Sequence, residues 1–111
     1  MVDRNMCPKF EAASELLGKK WTGLILYTLL SGPKRFKDIK ATIPQMSDKM
    51  LSDRMKELEY EGIVERHVYP ETPVRIEYTL TAKGKSLKPV IDAIQAWADQ
   101  WIEVPLGVSQ Q

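Results

Sequence analysis

Apolar residues recur at intervals of three and four along most of the chain, which is the spacing of amphipathic helices. A first helix is predicted over residues 8–17, starting at a proline that suits a first helical position. The run WTGLILYTLL, residues 21–30, is short and almost wholly apolar, and it predicts a buried helix that the following SGP ends. A third, short amphipathic helix is predicted over residues 36–43, ending before Pro44.

The helix that follows this turn has a capped start and two different sides. It begins at Ser47, a residue type favoured at helix N-caps, and it ends at Gly62. The buried side is marked at i, i+4 and i+7 by Leu51, Met55 and Leu58. The opposite side of the first two turns is polar, without an obvious catalytic group.

Beyond this helix the period changes from helical to alternating. Residues 63–69 and 75–81 predict two strands joined by the loop PETP. A last helix is predicted over residues 82–102, in which Pro89 could produce a kink. One face of that helix is apolar and contains Leu87, Val90, Ile91, Ile94, Trp97 and Trp101.

This order of elements predicts a mainly α fold with a small β-hairpin. The short helix, the tight IPQM connection and the Ser47 helix form a helix-turn-helix, and the hairpin directly after it makes the unit a winged helix. We expect a single domain over residues 1–111, with a core at about 19–82 and flanking helices at about 8–17 and 82–102.

Composition excludes several classes of protein. The 111 residues contain no apolar run near the roughly 18 residues of a membrane span, and the N-terminus lacks a signal-peptide core, so we expect a cytoplasmic protein. One histidine, one cysteine and no glycine-rich phosphate loop predict neither a metal site nor a cofactor. Thiol catalysis by a Cys7–His67 pair is an alternative that no further pattern supports.

Charge is concentrated in one segment of a nearly neutral chain. Residues 34–56 contain seven basic and three acidic residues, a net charge of +4 in a chain of net charge +1. A local basic face of this kind is typical of a DNA-binding protein, although a solvated surface gives the same pattern. Double-stranded DNA is therefore the expected partner. A winged helix used for protein binding is the alternative, and it would show little salt dependence.

The second helix of a helix-turn-helix enters the major groove with its N-terminal part. Base reading is assigned first to Lys49 and Ser52, because both are early and outward. The predicted DNA contacts from the two helices are Ser47, Lys49, Ser52, Asp53, Arg54, Lys56, Lys34 and Lys37, with Arg54 included if it projects outward.

The hairpin adds a candidate minor-groove contact. Arg75 flanks the PETP tip, where a guanidinium could enter the groove beside the one that the helix reads. The alternative is a strand arginine paired with Glu77 or Glu65 on a solvated sheet face.

Four segments together resemble the HxlR-type transcriptional regulators, relatives of the MarR regulators. They are LGKKWTGLILYTLLSGPKRFKDI, IPQMSDKMLSDRMKELEYEGIVER, VYPETPVRIEYTLTAKGKSL and AWADQW, and they span about residues 7–101. The resemblance implies a homodimeric winged helix that binds a palindromic operator, usually as a repressor, through a dimer built from the first and last helices. Where the family commonly has glycine and a branched aliphatic residue before its reading helix, this chain has Gln45 and Met46.

The single cysteine precedes the first helix. The helix N-terminus and the adjacent Lys9 favour the reactive thiolate of Cys7. A subset of HxlR-type regulators senses quinones, aldehydes or oxidants with a cysteine at this place, and Cys7 looks like that residue. A small buried apolar residue without a redox role is the alternative. Since the chain has one cysteine, any disulfide must reach another subunit or a small thiol.

The apolar face of the last helix predicts an obligate homodimer. Two tryptophans would each bury roughly 150–250 Å² when covered, and left exposed they would form a patch near the limit that monomers tolerate. A dimer interface is therefore predicted, with a ligand pocket as the alternative, at Leu87, Ile91, Ile94, Trp97 and Trp101.

Overall fold

The computed structural model describes residues 7–105 and confirms a mainly helical fold with one hairpin. In chain order the elements are α1 (Pro8–Gly18), α2 (Thr22–Leu29), α3 (Phe36–Thr42), α4 (Asp48–Tyr60), β1 (Val64–Tyr69), β2 (Arg75–Leu80), α5 (Ala82–Lys85) and α6 (Lys88–Trp101). Residues 1–6 and 106–111 of the predicted single domain lie outside the described residues, and its predicted internal boundaries stay predictions.

The core lies where α2, α3 and α4 meet the hairpin. Its most deeply buried side chains are Ile25, Leu26, Ile39, Met46, Leu51, Met55, Leu58 and Ile63. The prediction that residues 21–30 form a buried helix is wrong for one side of α2. Leu24 and Tyr27 are each 52% exposed, because nothing among the described residues covers that side.

One residue outside the two strands, Lys34, pairs with the hairpin through an antiparallel bridge to Tyr78, and this contact was not predicted. The antiparallel register of β1 and β2 runs from Val64 opposite Leu80 to Tyr69 opposite Arg75. The N–H of Lys34 donates to the carbonyl of Tyr78 at 3.0 Å, and the N–H of Tyr78 donates back at 2.8 Å. This bridge ties the segment before α3 to the wing.

The last helix is two helices, not one, so the prediction of a continuous helix over residues 82–102 is wrong. The hydroxyl of Thr81 accepts from the N–H of Gly84 at 3.1 Å and caps the short α5. Pro89 lies in the first turn of α6, where its missing N–H costs nothing, so it starts a helix and does not kink one. Gly84 is required by packing, because a Cβ there would lie 2.2 Å from the carbonyl oxygen of Ile63.

Trp21 joins α1 to α2 in a left-handed backbone conformation. Its φ is 80° and its ψ is −19°, a region that costs a non-glycine residue about 1–3 kcal/mol. The ammonium of Lys20 lies 4.8 Å from the centroid of the indole ring. Such a conformation persists only where its surroundings fix it, so the connection sets the angle between the two helices.

Candidate nucleic-acid interface

The turn between α3 and α4 is closed by core packing and by one lysine. Met46 is fully buried, and its N–H donates to the carbonyl of Ile43 at 3.2 Å. The ammonium of Lys40 donates to the carbonyl of Pro44 at 3.1 Å and also to the carbonyl of Met46. Met46 therefore fills the position of the family's branched aliphatic residue, and the turn is built with Gln45 exposed.

Ser47 caps α4 as predicted. Its hydroxyl accepts from the N–H of Met50 at 3.1 Å, which satisfies one of the free donors of the first turn. The buried side of the helix consists of Leu51, Met55 and Leu58, which also confirms the predicted pattern. Since these three side chains fix the rotation of α4, the polar side must face outward.

The outward side of α4 is a row of polar residues that we call the reading face: Ser47, Asp48, Lys49, Ser52, Asp53 and Lys56. Lys49 has 85% of its side chain accessible, and its ammonium lies 3.0 Å from the carboxylate of Asp53. That hydrogen bond holds the pKa of Asp53 below its ordinary value. Asp53 therefore restrains the ammonium of a basic neighbour on the reading face.

Arg54 does not belong to the reading face, so its prediction as a DNA contact is corrected. Only 16% of its side chain is exposed. The Nε donates to the carbonyl of Lys20 at 3.0 Å, and Nη1 donates to Glu57 at 3.1 Å. Glu57 also accepts from the ammonium of Lys19 at 2.8 Å. The guanidinium is thus used inside the protein, to hold α4 against the α1–α2 connection.

The two predicted lysines outside α4 lie at the start of the helix-turn-helix. Lys37 is exposed on α3, whereas Lys34 is half-buried and its backbone bridges the hairpin. Asp38 accepts from the N–H of Arg35 at 3.0 Å and so caps the start of α3. Both lysines stay predicted DNA contacts.

The guanidinium of Arg75 is bound by carboxylates of the hairpin itself. Nε and Nη2 lie 3.2 and 3.0 Å from the two carboxylate oxygens of Glu71, and Nη1 lies 2.6 Å from Glu77. The guanidinium carbon is 3.9 Å from the centroid of the Tyr69 ring. The pairing with Glu77 that the sequence left open is therefore present, and Glu71 is a partner that sequence reasoning missed.

Cys7 is exposed at the N-cap of α1. Its carbonyl accepts from the N–H of Glu11 at 3.0 Å and starts the helix. The alternative of a buried apolar cysteine is therefore wrong. His67, the imagined catalytic partner, has its Nε2 3.0 Å from the Thr79 hydroxyl and 3.3 Å from Glu65.

The apolar side of α6 is divided between the protein's own core and its surface. Ile91 is 5% exposed, and Leu87 packs partly buried against the same core. Ile91 therefore belongs mainly to the protein's own core and Leu87 does so in part, and the interface role of both residues stays a prediction. Ile94, Trp97 and Trp101 are 55%, 60% and 65% exposed, so their side chains are accessible to a partner.

Two further features bear on this apolar surface. Phe10 of α1 is 67% exposed. A groove of about 340 Å³ between α2 and α6 is lined by Trp21, Leu24, Tyr27, Ile91 and Ile94 among others. The first, second and sixth helices thus each expose large apolar side chains.

Residues 7–105 contain neither a metal-binding cluster nor a membrane-spanning helix. No cluster of three histidine, cysteine, aspartate or glutamate residues there could hold a metal ion. None of the helices there has the length and apolar character needed to cross a membrane.

Comparison with known proteins places these features in a family. A family model described as HxlR-like helix-turn-helix matches residues 16–105. The HTH-type transcriptional regulator YodB of Bacillus subtilis (strain 168) is 60% identical over 102 residues, which are 92% of this chain and 91% of YodB. Reduced YodB superposes with a TM-score of 0.79 at 60% identity, covering 88% of this chain and 96% of that one. Quinone-bound YodB gives a TM-score of 0.76 at 55% identity, covering 86% of this chain and 100% of that one.

Proposed function

The chain belongs to the HxlR-like helix-turn-helix family of DNA-binding transcriptional regulators, and from this premise we propose that it is a homodimeric repressor released from DNA by reaction of Cys7. The main support for DNA binding is the reading face, because a capped and well-packed helix holds its side chains in one orientation. Promoter DNA is the target, so we expect the protein to act in the cytoplasm.

The N-terminal half of α4 would lie in the major groove. Lys49, Ser52 and Lys56 follow one another at i, i+3 and i+7, so they share one helical face. Lys49 and Ser52 are assigned to base edges, because they are nearest the helix start. Lys56 and Lys37 are assigned to phosphates, where they add salt-dependent affinity without reading sequence.

A homodimer would cover the exposed apolar surface of α1 and α6. Phe10, Trp97 and Trp101 are each at least 60% exposed, and Ile94 is 55% exposed, so a monomer would leave four large apolar side chains in water. A twofold axis through this surface would repeat the reading face on the partner. Such a dimer calls for a palindromic operator with half-sites about one DNA turn, roughly 34–36 Å, apart.

Cys7 is assigned the sensing role. It is exposed, it lies at the first turn of α1, and a relative of 60% identity has been solved in a quinone-bound form. An electrophile that adds to the Cys7 thiol, or an intersubunit disulfide at the same place, would shift α1 within the dimer. The two reading faces of the dimer must match a fixed half-site spacing. A small rotation of one subunit against the other would therefore lose contacts in both half-sites.

Mapping the DNA bound by the protein in its native genome, with and without a quinone, tests this function. We expect discrete promoter sites that contain an inverted repeat and that lose the protein after treatment. Occupancy spread evenly over the genome would contradict sequence-specific binding. Promoter occupancy that a quinone leaves unchanged would contradict the sensing role alone.

A further inference from the structure

The wing is acidic, although the neighbouring helices are basic. Residues 64–80 carry two arginines and three glutamates, a net charge of −1, whereas residues 34–56 carry +4. A hairpin that approaches a duplex brings its carboxylates near phosphates, which repel them. The positions of the glutamates around Arg75 therefore decide how much the wing can contribute to DNA binding.

Glu71 occupies the same edge of the Arg75 guanidinium that a phosphate would use. Its two oxygens accept from Nε and Nη2 at 3.2 and 3.0 Å, a two-point contact of the kind that arginine also forms with phosphate oxygens. The hydrogen bond from Arg75 holds the pKa of Glu71 below its ordinary value, so this carboxylate is charged at neutral pH. Glu71 and a phosphate therefore compete for one binding edge.

The remaining contacts of Arg75 would survive the loss of Glu71. Glu77 lies on β2, its side chain is 22% exposed, and it accepts from Nη1 at 2.6 Å. The ring of Tyr69 lies 3.9 Å from the guanidinium carbon. Glu71, in contrast, lies in the loop between the strands with 54% of its side chain exposed. The loop carboxylate can leave while the strand residues keep the guanidinium in place.

We propose that Glu71 masks Arg75 in the free protein and is replaced by a phosphate of DNA when the wing docks. This inference rests on the proposed binding of DNA through α4 and the wing. The mask lowers the contribution of the wing to the affinity for any duplex, because the wing can dock only after the Glu71 carboxylate has been displaced. Glu71 thereby weakens binding to DNA whose sequence the reading face does not match.

The test is a binding titration with a duplex of random sequence, which requires no knowledge of the operator. Glu71→Gln should raise the affinity about two- to fivefold at low salt, the range of an exposed ion pair. Glu65→Gln is the matched control, since Glu65 lies on the same hairpin, is 59% exposed and contacts His67, not Arg75. It should raise the affinity less than Glu71→Gln does.

The double variant separates a mask from a general change of charge. In an Arg75→Gln background, the gain from Glu71→Gln should fall to the smaller gain that Glu65→Gln gives, because there is no guanidinium at position 75 left to expose. A gain from Glu71→Gln that stays at its full size there, an equal gain from Glu65→Gln in the wild-type background, or no gain from Glu71→Gln would overturn the mask. If Arg75→Gln does not fold, the comparison of the two glutamate variants decides alone.

Failure of the mask can be told from failure of the proposed function by a second duplex. A promoter fragment recovered from the native genome should bind wild-type protein more tightly than the random duplex does. If it does and Glu71→Gln has no effect on either duplex, only the mask is wrong. If wild-type protein binds both duplexes equally, the proposed function fails and the mask with it.

Discussion

The Nε of Arg54 donates a hydrogen bond to the backbone carbonyl of Lys20 at 3.0 Å, and this contact joins the reading helix to the connection between α1 and α2. Glu57 reinforces the joint by pairing with Arg54 and with Lys19. The next residue, Trp21, holds a left-handed backbone conformation. A displacement of α1, whose N-cap is Cys7, would therefore reach α4 through a constrained segment.

Replacing Arg54 by glutamine should weaken operator binding without reducing its salt dependence. The half-buried guanidinium positions α4 and touches no phosphate in our account, so its loss lowers the free energy of unfolding by about 1–3 kcal/mol. Binding titrations at several salt concentrations and urea unfolding measure the two effects. Lys56→Gln is the contrasting variant, with unchanged stability and a salt slope smaller by about one. If the salt dependence of binding were smaller for Arg54→Gln than for wild type, Arg54 would be a phosphate contact after all.

The pair between Glu57 and Lys19 should make part of the stability depend on pH. The hydrogen bond from Lys19 lowers the pKa of Glu57 below its ordinary 4.5, so the unfolded chain binds the proton more readily. The stabilisation is therefore complete above that pH and is lost as the pH falls through the lowered value. Urea unfolding of wild type and Glu57→Gln should show a difference that shrinks in acid.

Glu59→Gln is the matched control for that measurement. Glu59 lies on the same helix and forms no ion pair within residues 7–105. A stability difference between wild type and Glu57→Gln that stays constant with pH would show that the carboxylate pair contributes nothing.

Lys49→Ala should reduce discrimination between operator and random duplex. If its ammonium reads a base, the operator complex weakens by about 1–3 kcal/mol, and the random complex weakens much less. Lys85→Ala, an equal change of charge on α5 at the base of the hairpin, should leave the ratio of the two affinities unchanged. Equal weakening of both complexes by Lys49→Ala would assign Lys49 to a phosphate.

Trp97→Ala should dissociate the proposed dimer. A large aromatic residue in the centre of an interface often contributes at least 2 kcal/mol, which raises the dimer dissociation constant about thirtyfold. Sedimentation over a range of concentrations measures this change. Tyr60→Ala removes an aromatic side chain that is 89% exposed on α4, and it should leave the dimer intact. A wild-type protein that sediments as a monomer at micromolar concentration would contradict the dimer itself.

Much of the fold could be predicted because it follows from local patterns. The i, i+4, i+7 spacing of Leu51, Met55 and Leu58 fixes which side of α4 is buried, and Ser47 fixes where the helix begins. The alternation after Gly62 predicts both strands to within one residue. These signals lie within a few residues of the structure they determine.

The errors concern contacts between distant parts of the chain. Whether Arg54 points to solvent depends on the carbonyl of Lys20, which is 34 positions away in sequence. The bridge from Lys34 to Tyr78 likewise leaves no local pattern. The apolar stripe of α6 was recognised, but the edge that meets the core, at Ile91, is set by where α2 packs. The periodicity of a sequence identifies the apolar face of a helix, but it does not identify the element against which that face packs.

The most direct test of the account is operator binding by wild type and Cys7→Ser, each before and after treatment with a quinone. Untreated, the two proteins should bind the operator equally, since Cys7 lies on α1 and not on the reading face. After treatment, the wild type should lose about a hundredfold in affinity, roughly 2–3 kcal/mol, while Cys7→Ser keeps its own. Equal loss by both proteins, or loss by neither, would contradict the claim that Cys7 controls release from DNA.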